Sequence, residues 1–119
     1  EQAVALAQKY DVVVTNPPYM ALSNGSGRLN AFVKTHYSDE KADLYAAFIH
    51  KCRNLCLPMG YEAMITQHGW MFQSTFEGMR MEQLNCDVIN MAHLGARAFD
   101  EISGEVVQTT SFVFRKTNM

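Results

Sequence analysis

Four residues in this chain are of a type and order that could do chemistry together: Asn16, Pro17, Pro18 and Tyr19. Asn16 brings an amide oxygen that accepts hydrogen bonds, and Tyr19 brings an aromatic face. The two prolines remove two backbone donors and fix two φ angles, which leaves free carbonyls in rigid positions. Such a set suits a flat group bearing an NH2. The amide oxygen of Asn16 and the carbonyl of Pro17 can take the two amine protons while Tyr19 lies on the ring. The alternative is an ordinary strand that ends in a Pro-Pro turn.

The element that must carry these residues precedes them. Val12 to Thr15 is short and β-branched, the pattern of a strand buried on both faces. Glu1 to Lys9 reads as a helix. Met20 to Ser38 reads as a loop, turn-rich over Ser23-Asn24-Gly25-Ser26-Gly27 and basic through Arg28, Lys34 and His36. Either a phosphate contact or plain solvation explains that charge. Asp43 to Cys56 has apolar residues at helical spacing, from Leu44 and Tyr45 to Leu55 and Cys56, and Pro58 and Gly60 punctuate its end. Tyr61 to Thr66 reads as a second buried strand.

Gln67, His68 and Trp70 follow at that strand's C-terminal edge, where open α/β sheets place ligands. Gln67 and Trp70 are candidates to line a pocket; for Trp70 the competing role is packing. Ser74-Thr75-Phe76-Glu77 fits a capping box, with a helix to about Asn85 that buries Phe76, Met79 and Leu84. Val88 to Leu94 and Val106 to Arg115 read as strands. Too few residues separate them for a helical crossover, so they pair antiparallel. The succession is α/β: the second half of a Rossmann-like seven-strand sheet, ending in an antiparallel hairpin.

Composition bounds the rest. The chain has 119 residues, 48% hydrophobic and 18% charged, with a formal net charge of −2. That suits one folded unit without an overall basic footprint for nucleic acid. Three cysteines, Cys52, Cys56 and Cys86, are read as reduced, mostly buried thiols, and no second pair has zinc-ligand spacing. No metal is expected. There is no signal peptide and no long apolar run, so a cytoplasmic location is expected.

The tetrapeptide resembles the signature of amino-methyltransferases that use S-adenosylmethionine, which act on adenine N6 or cytosine N4 in DNA. Relatives that share it modify RNA bases or a protein glutamine. From Tyr10 to Lys116 the order of segments is similar to the catalytic domain of DNA adenine-N6 methyltransferases. Two longer blocks narrow this further. One is Tyr61-Glu62-Ala63-Met64-Ile65-Thr66-Gln67 with Trp70-Met71-Phe72. The other is His93 to Phe99 with Gly104 to Thr110. Both resemble the methylase of BREX/Pgl-type phage-exclusion systems and the large methylase subunits of type II restriction–modification enzymes.

That resemblance implies a reaction and its residues. A flipped adenine of double-stranded DNA would place N6 against Asn16 and the Pro17 carbonyl, beside Pro18, with Tyr19 stacked on the base. Asn16 would also lie next to the cofactor, S-adenosylmethionine. A second aromatic from the last hairpin loop closes the other face in such enzymes, and Phe99 holds the matching place; its alternative is a loop hydrophobe tucked into the core. Restriction or phage-defence subunits would be partners, and no membrane is involved.

The Phe-x-Gly-x-Gly turn that cradles the methionine part of the cofactor, and the acidic residue for its ribose, are absent from this sequence. The expectation is that residues 1–119 are the target-base half of a larger catalytic domain, whose cofactor half and target-recognition domain lie outside. Such a piece by itself is expected to be inactive and to self-associate. A noncatalytic module that binds DNA or partner subunits is the reading from a different class.

Overall fold

A computed structural model describes residues 1–95 and 108–117. Its elements are α1 (Gln2–Ala7), β1 (Tyr10–Thr15), α2 (Gly27–His36), α3 (Leu44–Leu55), β2 (Cys56–Gln67), α4 (Glu77–Gln83), β3 (Asp87–Gly95) and β4 (Thr109–Arg115). Short 3-10 turns cover Leu22–Asn24, Ser38–Glu40, Gly69–Met71 and Ser74–Phe76.

The four strands form one mixed sheet in the order β1-β2-β4-β3. β1 runs parallel to β2, with Thr15 opposite Met64. β2 and β4 are antiparallel, Met64 opposite Phe112, and β3 closes antiparallel on β4. The hairpin expected at the end of the chain is therefore present. The core lies on one face of the sheet. There Met64, Phe112 and Phe114 meet Tyr45 and Ile49 of α3, Phe76, and Met79 of α4.

The long strand–helix–strand connection contains an element that the sequence reading treated as loop. α2 starts at Ser26, whose hydroxyl accepts the Leu29 N–H at 3.1 Å, and it buries Val33. A glycine-rich entry and three basic side chains hid a helix with one apolar edge, which packs with Leu22 and Ala47. Four further expectations need correction. α3 passes straight into β2, so Pro58 and Gly60 do not separate them. They lie in a bulge where the β1–β2 register jumps from Tyr10–Cys56 to Val12–Tyr61. Met59 takes φ 69° there, and a Cβ on Gly60 would lie 2.9 Å from the carbonyl oxygens of Asp11 and Leu57.

The capping box does not form. Ser74–Phe76 coil into a 3-10 turn of their own, α4 begins at Glu77 after Phe76, and no side chain caps it. In α4 the buried partner of Met79 is Gln83, while Leu84 is 60% exposed. Finally, among the described residues β1 is covered on one face. Val13 packs on the core, while Val12 and Val14, on the face away from α3 and α4, are 56% and 69% exposed.

Gln83 is inside for a reason. Arg53 Nη1 of α3 donates to Gln83 Oε1 at 2.6 Å, and Gln83 Nε2 donates to Glu62 Oε2 of β2 at 3.0 Å. This chain of three buried polar groups ties both helices to the central strand. Burial pushes the Glu62 carboxyl up to about 7, against the opposing pull of Gln83, Arg53 and Lys116. In the unfolded chain the same group ionises near 4.5. The native state therefore holds its proton to higher pH. Its contribution to stability is complete below about 4.5 and is lost as pH rises through about 7, a span on the order of 3 kcal/mol. Glu62→Gln is expected to flatten this dependence, read from denaturant midpoints between about pH 5 and 8. An unchanged pH profile would refute the assignment.

Candidate active site

β1 delivers its last residues to the C-terminal edge of the parallel pair. Asn16 is exposed there, Pro17 is buried, Pro18 is exposed and Tyr19 is half-buried. The amide of Asn16 thus points out from a strand end whose next residue is locked in the protein. The Tyr19 ring meets Tyr45 edge-on, centroids 5.7 Å apart at 79°. Burial, with Asp43 nearby, pushes the Tyr19 phenol above its usual value, so it is neutral at physiological pH.

Tyr45 is itself fixed. It is 2% exposed, and its hydroxyl accepts the backbone N–H of Trp70 at 3.1 Å. Burial first, then Asp43, drives its own phenol strongly upward. Immediately after the tetrapeptide the chain is tied to the start of α3. Met20 N–H donates to Asp43 Oδ1 at 3.0 Å, and Leu44 N–H donates to the Met20 carbonyl at 2.9 Å. The same Asp43 oxygen accepts Tyr45 N–H and so caps α3. Sequence reasoning placed Asp43 at the head of a helix but saw no link from it to the tetrapeptide. The pairing crosses 23 residues, and no local pattern announces it.

The other candidates separate. Gln67 lines a small polar cavity of about 120 Å³ with Asp43, Tyr45 and Gln73. Asn16 lines a different depression, open and largely apolar, with Val14, Thr15 and Ile65. Trp70 lines neither. It is 2% exposed, packs edge-on against Phe112, and its indole N–H donates to Thr66 Oγ1 at 3.1 Å. The packing role weighed for Trp70 is the one these contacts describe. Phe99 lies outside the described residues.

The histidine–histidine contact beside this edge was not foreseen. His68 Nδ1 and His93 Nε2 are 2.9 Å apart, and Phe72 stands edge-on to His68. Burial, then the neighbouring His93 ring, lowers the His68 value. His50 instead bonds Glu40 at 2.9 Å, away from the tetrapeptide's strand end. Cys52, Cys56 and Cys86 are free and buried, as expected. Among the described residues no helix is long and apolar enough to cross a membrane.

Trp70→Phe keeps the ring in the core but deletes its N–H. A loss of about 1–2 kcal/mol in stability is expected, read from denaturant midpoints. An unchanged midpoint would refute the packing role.

Comparisons with known proteins converge on one family. Residues 2–99 match the family described as Eco57I restriction-modification methylase. The chain is 48% identical over 115 residues to the adenine-specific methyltransferase PglX of Lacticaseibacillus casei (strain Zhang), covering 97% of this chain and 10% of that protein. It is 46% identical over 119 residues to the adenine-specific methyltransferase BrxX of Escherichia coli O9:H4 (strain HS), covering 99% and 10%. It thus spans about a tenth of the length of these curated relatives. Among solved structures, the M protein of the type I restriction enzyme EcoKI superposes with a TM-score of 0.68 at 18% identity, over 92% of this chain and 21% of that one. A DrdV–DNA complex gives 0.70 at 18% identity, over 97% and 14%. The mixed sheet is accordingly part of the α/β fold of class I S-adenosylmethionine-dependent methyltransferases, and the chain belongs to the Eco57I restriction-modification methylase family.

Proposed function

We propose that the protein containing this chain transfers a methyl group from S-adenosylmethionine to N6 of a flipped adenine in double-stranded DNA, within a restriction–modification or phage-defence system. The observation that carries this reading is the strand end itself: an exposed Asn16 amide, a buried Pro17 and a Tyr19 ring fixed by Tyr45. The names of the two relatives, both adenine-specific methyltransferases, support the choice of base.

In this reading Asn16 and the Pro17 carbonyl accept hydrogen bonds from the amine. Those bonds draw its lone pair out of conjugation with the ring and aim it, so reaction depends on position more than on a strong base. Tyr19 stacks on one face of the base and Phe99 on the other, with Pro18 and Gln67 at the margins. S-adenosylmethionine supplies an electrophilic methyl carried on a sulfonium. The chain's own residues suit the amine rather than the donor. Gly25 and Gly27 stand at a 3-10 turn and the start of α2, not after a first strand, and so do not build a cradle for the cofactor. Of the described residues, Asn16 would border it.

Residues 1–119 are then the target-base half of a catalytic domain, with the cofactor half and the recognition domain elsewhere in the protein. DNA is its substrate, and restriction or phage-defence subunits are its partners.

The experiment is methyl transfer from labelled S-adenosylmethionine to unmethylated DNA by the full-length protein, by its Asn16→Ala variant and by residues 1–119 alone. Label on adenine N6 is expected, reduced at least about 100-fold by Asn16→Ala and absent with the isolated chain. Label in RNA or in protein glutamine instead would overturn the substrate. Phe99→Ala is expected to weaken DNA methylation by about 10- to 100-fold, the worth of one stacking partner. Unaltered kinetics would remove Phe99 from the site.

A further inference from the structure

The tetrapeptide has an anchoring problem. Pro17 and Pro18 carry no N–H, so the segment cannot be pinned by amides at its middle and depends on what holds its two ends. One end is β1, paired to β2 through Thr15. The other is Met20, and there a single carboxylate oxygen gathers the structure. Asp43 Oδ1 accepts Met20 N–H at 3.0 Å and Tyr45 N–H at 3.2 Å. The surrounding backbone repeats the tie, with Leu44 N–H donating to the Met20 carbonyl and Leu22 N–H to the Ala42 carbonyl at 3.3 Å. Tyr45, whose amide that oxygen holds, is the residue whose ring carries Tyr19.

We propose that Asp43 is a positioning residue for methyl transfer: its Oδ1, bound to both Met20 and Tyr45, sets the Tyr19 ring at the distance and tilt that the base stacked beside Asn16 requires. The inference rests on the reading of Asn16 to Tyr19 as a base cradle. It differs from a simple helix cap, because a cap needs only the bond to Tyr45. Met20 is bound 23 residues away in sequence, and its amide is the first that follows Tyr19. Charge is not what the geometry uses; an acceptor oxygen at that reach is.

Two substitutions separate these roles in the full-length protein. Asp43→Ser keeps a hydroxyl acceptor able to cap α3 but withdraws the longer reach to Met20. Asp43→Asn keeps an oxygen for both bonds. The expected result is a kcat for DNA methylation at least about 10-fold lower for Asp43→Ser and within about 3-fold of the parent for Asp43→Asn. The KM for S-adenosylmethionine is expected to be unchanged in both, and their thermal midpoints to agree within about 3 °C. Amide exchange of a peptide containing Met20 is expected to quicken in the serine variant only. An unchanged kcat and unchanged exchange in Asp43→Ser would overturn the proposal, as would an equal loss in Asp43→Asn. Failure of the cradle reading is seen separately: Asn16→Ala would then methylate as well as the parent. If the parent methylates RNA or protein instead, the same comparison of kcat is made on that substrate.

Discussion

β2 is hydrogen-bonded along both edges, parallel to β1 and antiparallel to β4, and the places of Asn16 and Gln67 follow from that double pairing. It sets Asn16 just past the Thr15–Met64 pair, and it carries Gln67 and His68 at its own end. Its inward residues Glu62, Met64 and Thr66 alternate between a polar network and an apolar core, so the strand is bound to the helices by two different kinds of force. Apolar burial is tolerant of direction. The Arg53–Gln83–Glu62 chain is not, and it fixes how α3 and α4 lie across the sheet.

The helix α3 then transmits that placement to the site. Its N-terminus holds Met20 through Asp43, its first turn supplies Tyr45 to Tyr19, and its last turn supplies Arg53 to the buried network. One helix therefore joins the rigid interior to a strand end whose working amide faces outward. Exposure of Asn16 beside a buried Pro17 is the useful combination: the acceptor is free to meet a ligand, while its main chain has little freedom to yield.

Much of this was legible in the residues. The strand before the prolines, the helix after Asp43 and the final antiparallel pair each follow from local apolar patterning. The features that escaped are those in which a distant partner outweighs the local rule. Ser74 matched a cap, yet the 3-10 turn at Phe76 moved the helix cap from Ser74 to Phe76. Gln83 outranked Leu84 for the interior because Arg53 and Glu62 were waiting for an amide. α2 was concealed by polar composition, since its one buried residue, Val33, is too little to mark a period. At the site, Asn16 and Tyr19 could be chosen by chemistry alone. Asp43 could not, since its significance lies in a bond to a residue on the far side of α2 in the chain.

The three thiols have a further use. Cys52, Cys56 and Cys86 are buried around Glu62, and burial raises Cys52 to about 12 and Cys56 to about 11, with Cys86 also above its usual value. In the closed molecule almost none of this sulfur is thiolate, the only form that attacks an alkylating reagent. An electrophile in solution therefore registers only molecules whose interior has opened. The rate of alkylation becomes a clock for the breathing of this sheet against α3, carried by the protein's own atoms and independent of any substrate.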